Sequence, residues 1–320
     1  MRTLLLTRSE TAALLDPPSL VPALSSAFVA YSAAKTERPR RVRAGLGSRG
    51  TSTVLFPGTA PGVPAYTVKV HAKVPGEDPA IRGVLCLHDA ASGALLAIMD
   101  STHLTAVRTG LVGALAAHVL ARAEAGEAAV IGAGVQGAQQ LRSLAALRPL
   151  RRASVYDVAA GKAEAFARAL GDELGLPIEA TTSVESAVAK ADLVLAATWA
   201  REPFLAAEMV RPGAHVTTLG ADEPGKAEVC AELIRRALFV CDDRALAVEM
   251  GALGGVGLGA EAAAAELGEV LAGRHPGRTR PEEITVFGGV GLAFQDAVAA
   301  WAIYRAARRA GAGREIDFLG

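Results

Sequence analysis

Cysteine is scarce: Cys86, Cys230 and Cys241 are three in 320 residues, odd in number and widely spaced, with no C-x-x-C pair. That excludes a disulfide scaffold and predicts free thiols in a reducing compartment, so the expected location is cytoplasmic. Net charge is also missing, because 33 Lys and Arg balance 33 Asp and Glu. No global basic field exists to gather nucleic acid or an anionic membrane, and neither is expected as a partner. The opening "MRTLLLTRSE" has an apolar core too short for a signal sequence, and no later stretch reaches about 18 uninterrupted apolar residues. The six histidines are scattered without an H-E-x-x-H motif, and no G-x-S-x-G elbow appears, so neither a metal site nor a serine nucleophile is expected.

Glycine, by contrast, is plentiful: there are 34, in a chain that is 51% hydrophobic. At that abundance glycine patterns arise by chance and count only in context. The length allows two domains, each with its own core. Helical spacing runs from Leu20 to Lys35, followed by the basic, turn-forming "TERPRRVRAG". A β-rich section then holds "STVLFPG", "AYTVKVHAKV" and "IRGVLCLHDAASGALLAIMD", with "ASG" as a hairpin turn. "STHLTAVRTGLVGALAAHVLARAEAG" predicts a long connecting helix with Ser/Thr at its start. From Glu127 to about Val286, the short apolar runs "AAVIGAG", "RASVYDV", "ADLVLAAT", "AHVTTLG" and "LFVCDD" alternate with amphipathic helices. This is the pattern of a parallel sheet covered by helices. A last helix, "VGLAFQDAVAAWAIYRAARRAGAG", ends in basic residues and glycines.

Within this frame "VIGAGVQGAQQ" has the context a dinucleotide site needs. A short strand leads into Gly132, Gly134 and Gly137, and a helix begins inside the motif. The first glycine makes the tight turn and the second lets a pyrophosphate reach the backbone. The third allows close helix packing, and the helix N-terminus offers unpaired N–H groups. The next strand ends in Asp157, at the distance expected of a ribose-binding acid. A carboxylate there accepts from the ribose hydroxyls of NAD and repels the 2′-phosphate of NADP, although nearby Lys162 leaves NADP open. A second glycine cluster, "GALGGVGLG", follows no buried strand and reads as a flexible loop.

Three polar residues stand out from their surroundings: Lys69 inside an apolar strand, Arg108 near the start of the long helix, and Asp222 just after a strand of the parallel sheet. Ligands bind outside the carboxyl ends of such strands. The stretches "VKV", "LLAIMDSTHLTAVRTG", "VIGAGVQG", "TLGADEPGKAEV", "ELGEVLAG" and "ITVFGGVGLAFQDAVAA" together resemble the ornithine cyclodeaminase/mu-crystallin family over nearly the whole chain. The resemblance implies a Rossmann-type doubly wound parallel sheet at 113–289. This would be inserted into a second α/β substrate-binding and dimerisation domain at 1–112 with 290–320. It also implies a homodimer, a nicotinamide cofactor, and a small amino-acid or imino-acid substrate.

By the same resemblance, Lys69, Arg108, Val290 and an arginine of "PRRVR" hold the substrate. The P-x-R pattern favours Arg41, with Arg40 and Arg43 in the same stretch. Asp222 is implied as general acid/base with Lys69 beside it as a second catalytic group. Arg108, Thr109, Val135, Gln136, Thr198, Leu219, Gly220 and Lys226 are implied to line the cofactor together with Gly132, Gly134, Gly137 and Asp157. Two departures fall where substrate choice is decided. The segment after Lys69 reads "HAKVPGEDPAIRG" where the family has Asn, and Gly289 stands where it has Ser. The resemblance leaves three activities open: an NAD(P)-dependent ketimine reductase or amino-acid dehydrogenase, an ornithine or lysine cyclodeaminase that releases ammonia with catalytic NAD, and a non-catalytic ligand-binding protein. The compact chain favours the first.

Overall fold

The structure, a computed structural model, describes residues 2–34, 41–45, 52–74, 77 and 79–318. The chain divides into two compact units, 1–108 with 292–320, and 109–291. The sequence reading sets these divisions at 112/113 and 289/290; they lie between Arg108 and Thr109, inside a helix, and between Gly291 and Leu292.

The first unit opens with β1 (Arg2–Leu6), α1 (Arg8–Leu14) and α2 (Pro17–Ala34), followed by β2 (Val42–Gly45), β3 (Ser52–Thr59), β4 (Ala65–Lys73), β5 (Ile81–Asp89) and β6 (Leu95–Asp100). The expected β5–β6 hairpin is present. Asp89 closes it by accepting from the Ser92 N–H at 2.8 Å, and Gly93 takes φ +72°. Helix α3 (Ser101–Leu120) leaves this unit at Arg108 and enters the second. By length and hydropathy it could span a membrane, yet most of its length is buried within the protein.

The second unit contains β7 (Glu127–Ile131), α4 (Val135–Leu147), β8 (Arg152–Tyr156), α5 (Ala160–Leu174), β9 (Ile178–Ala180), α6 (Val184–Val188), β10 (Leu193–Ala196) and β11 (His215–Thr218). It continues through α7 (Ala231–Arg236), β12 (Leu238–Cys241), α8 (Arg244–Glu249), β13 (Ala265–Glu266), α9 (Leu267–Leu271) and β14 (Thr285–Gly288). The strand order is β13-β12-β14-β11-β10-β7-β8-β9, parallel throughout. Ala129, Ile131 and Val194 join one apolar cluster, while Ala128, Val130, Leu193 and Leu195 join another. Both faces of the sheet are therefore buried at β7 and β10, which is why these strands read as largely apolar runs. The order reverses between β7 and β10, and a doubly wound sheet binds its ligand at such a switch point.

The chain then returns to the first unit as α10 (Ala293–Ala310) and β15 (Arg314–Asp317). The first-unit sheet is ordered β15-β1-β6-β5-β4-β3-β2, antiparallel except where β1 runs beside β6. Residues Ala293 to Ala300 of α10 are all buried, so this helix belongs to the core rather than lying on it. It packs on α2, β3 and β4, with Phe294 edge-on to Phe28 at 4.9 Å. The second glycine cluster departs from the flexible loop read in the sequence. Ala252 and Leu253 are buried, and a short 3-10 turn covers Gly254–Val256.

Candidate active site and dinucleotide cradle

Strand β4 alternates strictly over its first seven residues, with Ala65, Thr67, Lys69 and His71 on the buried face. Facing them, helix α3 presents Ser101, Thr105 and Arg108 at i, i+4 and i+7, one stripe of a helix. Each member of that stripe has a partner. Ser101 Oγ lies 2.6 Å from His71 Nε2, Lys69 Nζ donates to Thr105 Oγ1 at 3.4 Å, and Arg108 Nε donates to Asp296 Oδ1 at 3.0 Å. Asp296, in the first turn of α10, also accepts from Lys69 Nζ on Oδ2 at 2.6 Å. Its neighbour Gln295 accepts from Arg108 Nη1 at 2.6 Å. Arg41 joins the same group, because its guanidinium lies 4.5 Å from the centre of the Phe56 ring and Lys69 Nζ lies 5.2 Å from it.

Lys69 feels the negative charge of Asp296 and the positive charges of Arg108 and Arg41, and Lys69 and Arg108 are almost wholly buried. Burial drives the Lys69 ammonium down to about 7; Asp296 opposes that fall, while Arg108 and Arg41 add to it. For Asp296, burial alone would push the carboxyl up, but Arg108 and Lys69 overcome it and hold the group below the usual carboxylate range. Burial, with Lys69 beside it, lowers His71 to about 3 and keeps the imidazole neutral. Guanidinium and ammonium groups in such a setting are the donors that suit an anion. Of the arginines in "PRRVR", Arg40 lies outside the described residues and Arg43 is exposed on β2, so the structure brings Arg41 to Lys69.

In the second unit, the turn after β7 has the shape of a dinucleotide cradle. Gly132 takes φ +103°, and its N–H donates to Tyr156 O at 2.9 Å. A Cβ on Gly137 would collide with the carbonyl oxygen of Gly132, which is why α4 can approach so closely. Gly134 opens α4 with no side-chain cap and faces open space, leaving the N–H groups of the first turn available. Val135 is half exposed, and the buried Oε1 of Gln136 has no hydrogen-bond partner. An uncapped helix start, open space and an orphaned acceptor together fit a bound dinucleotide. Asp157, at the end of β8, accepts from Ala133 N and Ala159 N, each at 2.9 Å, and so ties the turn to the next strand.

The carboxyl ends of β10 and β11 are joined by Glu228, a residue to which the sequence reading gave no role. Its Oε1 accepts from Thr198 N and Thr198 Oγ1 at 2.6 and 2.8 Å; Oε2 accepts from Thr218 Oγ1 and Gly220 N at 2.7 and 2.8 Å. Full burial pushes this carboxyl up despite its four donors. Beside the clamp, Asp222 Oδ1 accepts from Lys226 Nζ at 2.9 Å. The structure therefore places Lys226 on Asp222, with its ammonium 4.2 Å from the centre of the Trp199 ring. Leu219 is buried next to Gly113, and Thr109 is the first residue of this unit. Val290 is positioned by its backbone: Asp242 Oδ2 accepts from Val290 N at 2.9 Å and from Gly291 N at 2.6 Å.

Three carboxylates thus organise residues that were legible in the sequence. Asp296, Glu228 and Asp242 lie inside "AFQDAVAA", "GKAEV" and "FVCDD", and the available signal was an acid set in an apolar run. Among them Asp296 faces the largest buried charge. Asp296→Asn would leave Lys69 and Arg108 without their counter-charge and is expected to cost about 3–5 kcal/mol in urea denaturation. Glu315→Gln, which breaks the exposed pair with Arg308, should cost at most about 1 kcal/mol.

The chain is similar to known proteins over its full length. The sequence profile of the ornithine cyclodeaminase/mu-crystallin family matches residues 1–311. The alanine dehydrogenase of Archaeoglobus fulgidus is 32% identical over 326 residues, covering 100% of this chain and 99% of that one. The Delta(1)-pyrroline-2-carboxylate reductase of Thermococcus litoralis, solved with NADH and L-proline, superposes with a TM-score of 0.93 at 30% identity, covering 98% of this chain and 100% of the other. An archaeal alanine dehydrogenase dimer with bound NAD gives 0.92 at 31% identity, with full coverage of both chains. On the family match and these full-length similarities, the chain belongs to the ornithine cyclodeaminase/mu-crystallin family.

Proposed function

We propose that this chain is an NAD-dependent oxidoreductase acting on the C–N bond of a small α-amino acid or its imine, most simply as a reductase of a cyclic imino acid. The observation that carries the reading is the pairing of buried Lys69 and Arg108 with Asp296, with Arg41 near enough to act on Lys69. These groups suit a substrate carboxylate, held by Lys69 as a point charge and by the arginines as planar donors. Nicotinamide dinucleotide in the second-unit cradle supplies the hydride equivalent. Gly132, Gly134 and Gly137 receive its pyrophosphate and Asp157 its ribose, which favours NAD over NADP. Asp222 gives a proton to the substrate nitrogen on reduction and takes it back on oxidation. Lys69, poised near neutrality, is the second proton-carrying group.

Imine reduction or amino-acid oxidation, rather than cyclodeamination, is the reading favoured by the full-length similarity to an alanine dehydrogenase and to a Delta(1)-pyrroline-2-carboxylate reductase. The three free thiols support a reducing, cytoplasmic setting. A homodimer is supported by an outward row on the first-unit sheet, where Val42 pairs with Leu55, Leu55 with Val70, and Val70 with Val84. All four side chains are exposed, a continuous apolar strip suited to a second copy.

Two experiments test these readings. With NADH and pyrroline-2-carboxylate, piperideine-2-carboxylate or pyruvate plus ammonia, absorbance at 340 nm should fall stoichiometrically with one of the substrates. Ornithine or lysine with catalytic NAD should yield no ammonia; ammonia release without net NADH change would make the chain a cyclodeaminase instead. In sedimentation, the unaltered protein should run as a dimer and Leu55→Glu as a folded monomer. A monomer in both cases would remove the apolar strip as an interface.

A further inference from the structure

Trp199 is 50% exposed at the end of the β10 segment, directly after Thr198, whose N–H is clamped by Glu228. A single exposed aromatic is ordinary, and the ammonium over its face gives this one a specific partner. Lys226 Nζ lies 4.2 Å from the ring centre, on a side chain that is otherwise buried. The same ammonium has two carboxylates in reach, Asp222 Oδ1 at 2.9 Å and Glu223 Oε1 at 3.7 Å. Lysine is a point charge on a flexible stem with no intrinsic preference between them. The electron-rich ring face supplies that preference, because it limits where Nζ can rest.

We propose that Trp199 is a positioning residue for proton transfer: its ring holds Lys226 on Asp222 and so fixes the carboxylate in the orientation from which it meets the substrate nitrogen. The inference rests on Asp222 being the acid/base group. The ring does not touch the reacting atoms in this account, so its loss lowers turnover and leaves binding of substrate and cofactor alone. An apolar lid over the substrate, the competing role for an exposed indole, would instead act on KM and would be served by any bulky apolar side chain.

The test compares Trp199→Phe, Trp199→Leu, Lys226→Met, the Trp199→Leu/Lys226→Met double variant and Asp222→Asn. Each is measured for kcat and KM with the imino acid that supports NADH oxidation, and for NADH affinity from the cofactor's own fluorescence. Trp199→Leu should lose roughly three- to thirtyfold in kcat, the worth of a cation–π contact. Its KM and NADH affinity should stay within about twofold. Trp199→Phe keeps a ring face and should recover most of the loss, and in the Lys226→Met background Trp199→Leu should change kcat no further. The proposal is overturned if Trp199→Leu turns over like the unaltered enzyme, if Phe and Leu are equally impaired, if the effect lies in KM, or if the two substitutions add independently. Asp222→Asn separates this failure from the larger one. It should lose about a hundredfold or more, and full turnover in that variant would refute the acid/base assignment itself.

Discussion

A buried carboxylate shared by two buried cations is the constraint around which the first unit is organised. Lys69 and Arg108 come from a strand and a helix early in the chain, whereas Asp296 arrives 227 and 188 residues later, respectively, on α10. Removing two cations from water costs several kcal/mol each unless a counter-charge with good geometry is present. The chain therefore has to return from the second unit and bury α10, and the complete burial of Ala293 to Ala300 reflects that requirement. Arg108 and Arg41 act on Lys69 alongside Asp296. The cluster that stabilises this unit is also the one proposed to receive the substrate's anionic group.

The second unit uses carboxylates differently. Asp157, Glu228 and Asp242 each accept backbone N–H groups at strand ends or turns, so they arrange the main chain where it has left the sheet's own hydrogen-bond ladder. A carboxylate with two oxygens can hold two segments at once, and Glu228 does so for the ends of β10 and β11. Loops fixed in this way can present backbone donors to a ligand without reorganising. The proposed chemistry divides accordingly: the first unit recognises a carboxylate by charge, and the second holds the dinucleotide and the proton-transfer group.

Much of this was legible before the structure. The parallel-sheet strands β7, β10 and β12 read as apolar runs because both faces are buried, β8 and β11 fit the same alternation although each carries polar residues, and "GAGVQG" was convincing because a strand preceded it and a helix followed. Lys69 and Arg108 stood out as charges in apolar surroundings. What escaped notice was pairing across distance. Asp296 in the first turn of a helix looks like an acid placed for the helix dipole, and nothing local connects it to Lys69. Strand β14 lay hidden in a four-residue apolar run before a glycine pair, although it occupies the middle of the sheet between β11 and β12. Edge strand β15 and its neighbour β1 were missed because each is short and the two pair across opposite ends of the first unit's sequence. The 251–259 segment read as a loop because its glycines signal conformational freedom, whereas Ala252 and Leu253 anchor it in the core.

The account stands or falls on whether the Lys69 cluster binds the substrate carboxylate. Competitive inhibition by tetrahydrofuran-2-carboxylate tests this directly, since that ring carries a carboxylate and no titratable nitrogen, so any pH dependence between about pH 5 and 9 belongs to the protein. Lys69 is cationic below about 7 and loses its proton as pH rises through that value. The inhibition constant should therefore be flat on the acid side and weaken above it, approaching tenfold per pH unit, and Lys69→Met should remove the break. An inhibition constant that ignores pH over this range, and is unchanged in Lys69→Met, would show that the carboxylate binds elsewhere.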